Sequence, residues 1–102
     1  MAQDVRKYIP DKVVETVGGR WMGTCDIYGT LRQVLVEPLS PYTIYNIVIR
    51  DEGNMVIFTE RSVVGPLVGN AHETILFPGI KTIMIENASK DEMFKLKLIY
   101  EL

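Results

Sequence analysis

The chain has 102 residues, of which 47% are hydrophobic and 24% charged, with 11 Lys and Arg against 13 Asp and Glu for a formal net charge of −2. That length makes one domain around one core, and the composition is that of an ordinary globular protein. The charge balance argues against nucleic acid as a partner: a nucleic-acid surface carries a basic stripe interleaved with aromatics, whereas Asp91 and Glu92 break the nearest basic cluster, residues 90–97. The lone Cys25 leaves no intrachain disulfide, so the fold must hold by packing or by neighbours. Met1-Ala2-Gln3-Asp4-Val5-Arg6-Lys7 lacks the apolar core of a secretory signal, and no apolar run nears the roughly 18 residues needed to cross a bilayer. Synthesis in a reducing cytoplasm, without secretion and without a membrane partner, is the expectation.

Residues 1–11 are mixed in character and broken by Pro10; they read as an N-terminal arm, either a loosely held terminus or a segment lying on a neighbouring subunit and anchored there by Tyr8 and Ile9. Residues 12–102 read as a single β-sandwich domain. Val13, Val14 and Val17 mark a β-branched stretch that stops at Gly18-Gly19. Residues 21–28 form a second strand, in which Gly23 signals a bulge or a close approach to the backbone. Residues 31–37 follow, with Val34 and Val36 on one face, and Pro38-Leu39-Ser40-Pro41 ends them. Residues 42–50 alternate strongly, Tyr45, Ile47 and Ile49 against Ile44 and Val48. Asp51-Glu52-Gly53-Asn54 then turns the chain into a return strand at 55–59.

Residues 62–72 contain Val63-Val64-Gly65-Pro66-Leu67-Val68-Gly69, show no period, and read as an apolar loop. A short strand at 75–77, a Pro78-Gly79 turn, a strand at 80–86 and a polar turn at 87–91 lead into the last strand. There Phe94, Leu96, Leu98 and Tyr100 share one face, with Lys95 and Lys97 on the other. About eight short strands at this spacing predict an all-β fold, an antiparallel two-sheet sandwich of jelly-roll type.

Catalytic chemistry is thin. His72 is the single histidine, and no serine stands in a Gly-x-Ser-x-Gly elbow. A Cys25–His72 nucleophile pair is conceivable, but a free cysteine is commonly a small core residue. One histidine and one cysteine do not make a zinc site. The turn acids Asp51, Asp91 and Glu92 lack the spacing of a calcium loop; turns select Asp and Asn for backbone reasons alone. The expectation is therefore no enzyme activity, no cofactor, no metal and no small-molecule substrate. Apolar residues on both faces of several strands, including Ile44, Val48, Met84 and Ile99, point instead to surface covered by other subunits. The candidate interface is Tyr8, Ile9, Trp21, Val63, Val64, Leu67 and Val68. A ligand-binding sandwich is the alternative, with Trp21, Tyr28 and Tyr42 as stacking platforms for carbohydrate.

The segment Pro41-Tyr42-Thr43-Ile44-Tyr45-Asn46-Ile47-Val48-Ile49-Arg50-Asp51-Glu52-Gly53-Asn54, with Phe77-Pro78-Gly79, the strand at 80–87 and a last strand ending in Tyr100, resembles small head- and neck-associated virion proteins of tailed bacteriophages. The resemblance covers roughly residues 31–102. It implies a structural component of a phage particle, a capsid decoration or a head–tail neck protein. Such a protein is made in the host cytoplasm, located in the virion, and partnered by its own copies and by capsid or connector proteins. It carries over no site residue.

Overall fold

Phe94, Leu96 and Leu98 are buried while Lys95 between them is exposed, so the tidiest alternation in the chain is a strand with one face in the core. The computed structural model describes residues 13–102 in full and, before them, the backbone of Val5–Tyr8. The strands are β1 (Val5–Tyr8), β2 (Val14–Glu15), β3 (Trp21–Cys25), β4 (Gly29–Pro38), β5 (Ile44–Arg50), β6 (Val56–Val64), β7 (Leu67–Leu76), β8 (Lys81–Glu86) and β9 (Met93–Glu101).

All pairings are antiparallel. One sheet runs β1-β9-β4-β7, with β2 also on β9, and the other runs β3-β8-β5-β6. β1 pairs one half of β9 (Val5 with Glu101, Tyr8 with Leu98) and β2 the other half (Val14 with Phe94, Glu15 with Met93). They fill one edge position in two pieces, giving eight strand positions in two four-position layers. From β2 onward the chain alternates between sheets, except that β5 and β6 form a hairpin within one sheet. This is the jelly-roll connectivity the strand count predicts.

The core lies between the layers. β4 contributes Leu31, Val34 and Val36, β9 contributes Phe94, Leu96 and Leu98, and the facing sheet contributes Tyr45, Ile47, Ile49, Phe58, Ile83 and Ile85. Tyr45 meets Phe94 edge-on across the layers, with centroids 5.2 Å apart and planes at 81°, a geometry worth about 1 kcal/mol beyond burial. Burial pushes the Tyr45 phenol well above its usual pKa, so it stays protonated and donates to Gly65 O at 2.7 Å.

One expectation is corrected and two are narrowed. Residues 62–72 are not a loop: β6 runs to Val64 and β7 starts at Leu67, so Gly65-Pro66 is a two-residue corner between the sheets. Irregularity hides the period: β6 shifts register against β5 between Tyr45 and Ile47, Ser62 lies at φ 54, and Glu60, Arg61 and Ser62 are all exposed. The arm expected over 1–11 includes Val5–Tyr8, which pair with β9 within the same sheet; backbone hydrogen bonds need no apolar alternation to form a strand. The remainder of that arm, with Ile9, lies outside the described residues. Finally, Gly23 sits in regular register with Ile83, so it marks a close approach and no bulge.

Candidate functional site

The expected interface residues do not make one patch. Trp21 is half-buried and packs against the core. Its ring lies over Gly23, where an added Cβ would stand 2.5 Å from the indole, so glycine is needed for the indole to fold inward. Val63 and Leu67 also pack against the core, while Val64 and Val68 are exposed. Val64 pairs with Ile44 in one sheet and Val68 with Leu35 in the other. Tyr8 is opposite Leu98 in backbone register, and its side chain lies outside the described residues. The surplus apolar residues divide similarly. Val48 pairs with Met84 and Thr59 on the outer side of its sheet and is already covered there, being only 3% exposed. Ile44 remains open.

At one end of the sandwich three loops are tied by polar groups. Glu92, buried, accepts from the Thr43 hydroxyl and from Ser40 N through Oε1, while Oε2 has no partner. Glu92 N donates to Thr16 Oγ1 at 3.1 Å, and Thr16 N donates back to Glu92 O. Gly18 and Gly19, at φ 63 and 77, aim their N–H groups at the Asp91 carboxylate at 2.9 and 2.7 Å. Successive left-handed residues form a concavity that favours an anion, and here the chain supplies its own. Ser89 exchanges two hydrogen bonds with Ile44, and Gly65 N donates to Thr43 O. Val17, Leu39 and Tyr42 stand exposed around these loops.

The opposite end is held differently. Lys81 is 2% exposed, and its ammonium donates to Phe77 O and Gly79 O. A buried ammonium needs such acceptors. Cys25 pairs with Lys81 in register; burial lifts its thiol from 9.0 to about 11, with Lys81 opposing the shift and Asp26 adding to it. A cleft of about 120 Å³ opens between the β5–β6 turn and the β7–β8 turn, lined by Glu52, Ile57, Ile75, Phe77 and Pro78 among others. Around it Met55, Ile75, Phe77 and Ile80 are exposed, Phe77 to 75%.

The catalytic pairing weighed from sequence is not assembled. Cys25 is buried in β3, and His72 is exposed on β7 of the other sheet. A thiol shifted upward is also a poor nucleophile near neutral pH. The Asp51 carboxylate accepts from Met55 N at 2.9 Å, so it serves its own turn, as Asp91 serves the glycine pair. The aromatics offered for stacking are dispersed: Trp21 packs inward, Tyr28 lies in the β3–β4 connection, and Tyr42 in the β4–β5 connection. Among the described residues no helix is long and apolar enough to cross a membrane. Sequence reasoning missed the end around Phe77, whose signal was a run of large apolar residues beside turn glycines.

No protein-family description and no curated protein matches the chain. Among solved structures it is similar to a chain in the structure of infectious bursal disease virus Gt strain, at a TM-score of 0.41 and 12% identity, over 95% of this chain and 31% of that one. This chain therefore spans about a third of the length of that protein.

Proposed function

We propose that this chain is a non-enzymatic structural component of a tailed-phage virion, a capsid decoration or neck protein that works through contacts with its own copies and with capsid or connector proteins. The observation that carries the reading is where its apolar surface lies. Many of the large side chains left open to water lie at the two loop-bearing ends, Val17, Leu39 and Tyr42 at one and Met55, Ile75, Phe77 and Ile80 at the other, while Met22, Ile44, Val64 and Val68 are open on the strands. Scattered exposed apolar residues are ordinary, but clusters with polar rims mark contact surfaces. Both edges of the β3-β8-β5-β6 sheet are poorly suited to edge-to-edge association: β3 is short, and β6 is irregular with Glu60 and Arg61 exposed, features that discourage strand addition. Contacts in the particle therefore run through the ends, and the resemblance over residues 31–102 supplies the kind of particle.

The test is direct. Mass spectrometry of purified particles should detect the chain in several copies, and light scattering should show the purified protein as an oligomer. Its absence from particles together with a stable monomer at high concentration would sink the proposal.

A further inference from the structure

The outer face of the β1-β9-β4-β7 sheet carries a built irregularity. From Leu31 to Gln33, β4 advances two residues, β9 advances one (Tyr100 to Ile99) and β7 advances four (Thr74 to Asn70). Ala71, His72 and Glu73 thus stand opposite Arg32 alone. Ala71 turns into the core while His72 and Glu73 swing outward, both left-handed, at φ 52 and 57. That conformation is costly for residues bearing a Cβ. It is held by Asn70 Oδ1, which accepts from His72 N at 2.7 Å, and by the Thr74 hydroxyl on Ala71 O. Bulges of this kind re-aim side chains. Here the re-aimed group is Arg32, clamped by Glu101 through Nε and Nη2 at 2.8 and 3.1 Å and by Glu73 through Nη1.

The result is an open groove of about 530 Å³ lined by Arg32, Gln33, Asn70, His72 and Glu73. Every lining side chain is a hydrogen-bonding one, and the lining mixes donors with acceptors: the Asn70 amide nitrogen, both ends of the Gln33 amide, the His72 ring and the second oxygen of Glu73. One guanidinium between two carboxylates leaves no surplus positive charge, which disfavours phosphate, sulfate and other anions. An all-polar, charge-compensated, open groove matches vicinal hydroxyls.

We infer that this groove binds a neutral glycan, with Gln33, Asn70, His72 and Glu73 contacting the sugar hydroxyls and Arg32 positioning Glu73. The site uses hydrogen bonding rather than aromatic stacking and lies apart from the loop-bearing ends. It is independent of the virion reading, because sugar binding is read on the purified chain and particle membership on particles.

The experiment is a glycan array on the full chain, followed by NMR titration of isotope-labelled protein with maltose, lactose and the N-acetylglucosamine disaccharide, and with sialyllactose as anionic comparator. The expected result is a neutral hit that shifts the Gln33 and Asn70 side-chain amides and the His72 backbone amide. Gln33→Ala should weaken it about tenfold, the loss of one or two hydrogen bonds. Asn70→Asp keeps the acceptor for His72 N, and with it the bulge, but removes the donors, and should weaken binding similarly. Lys95→Ala, on the same face outside the groove, should leave binding unchanged. An array without a neutral hit, a response to sialyllactose alone, or shifts confined to Trp21, Tyr28 or Tyr42 would overturn the inference.

Discussion

The two ends of the sandwich close by different means. At one, Thr16, Thr43 and Glu92 tie three loops, Asp91 fills the Gly18-Gly19 concavity, and Gly65 is fastened to both Thr43 and Tyr45. At the other, one buried lysine holds the β7–β8 turn by its own carbonyls, the Asp51 turn is satisfied locally, and Gly79 reaches Asp26 at a long 3.4 Å. A loop cluster with many cross-links has one arrangement. A cluster resting on one side chain, beside an apolar cleft, can adjust to whatever docks there. The difference separates a rigid end from an adaptable one, and under the role proposed above the adaptable end is the better docking surface.

The largest test strikes the rigid end. Gly65→Ala places a Cβ against the Pro41 carbonyl at φ 70, and a loss of about 3 kcal/mol is expected in urea unfolding. Glu92→Ala leaves the Thr43 hydroxyl and Ser40 N without their acceptor and should lose about 2–3 kcal/mol, with Glu92→Gln losing less because Oε1 survives. If neither variant exceeds the loss from Lys81→Met, the ends do not differ in the way described. At the adaptable end, Lys81→Met strips the donor from Phe77 O and Gly79 O and should cost about 1–2 kcal/mol, with amide exchange quickening in the β7–β8 turn and not around Glu92.

A smaller effect comes from pH. The folded state raises the Cys25 thiol from 9.0 to about 11, so the fold favours the protonated form. The associated stability is full below pH 9 and is lost as pH rises toward 11. Denaturation midpoints over that window should fall more steeply for wild type than for Cys25→Ala; parallel slopes would remove burial of the thiol from the account. Least of all, Phe77→Ser should change stability by no more than about 0.5 kcal/mol, as exposed substitutions do, while shifting light scattering toward smaller species. Tyr42→Ser at the rigid end should shift it less.

How much of this was legible in the sequence depends on regularity. β5 and β9 keep a strict period of two, so their core faces, Tyr45, Ile47 and Ile49 and Phe94, Leu96 and Leu98, could be read directly. β6 and β7 could not, because Ser62, His72 and Glu73 take left-handed conformations that slip the alternation, and a proline corner joins the strands. The inward packing of Trp21 was not legible from its own position, because an indole on a short strand gives no sign of which way it faces; the clue was Gly23, two positions on. The polar groove was invisible, since Arg32 and Gln33 meet Asn70 and His72 only through pairing of β4 with β7.

The placement of β9 has a consequence for how the chain acquires its structure. β9 lies between β1 and β2 on one side and β4 on the other, so the edge formed by β1 and β2 has no partner until nearly the whole chain is present. Pairings so distant in sequence are entropically expensive to close and slow to form. Only the β5–β6 hairpin of the facing sheet is local enough to organise earlier. Until β9 pairs, the β4–β7 pair and the β1 and β2 segments are unconnected, so β9 is the strand that joins this layer into one sheet.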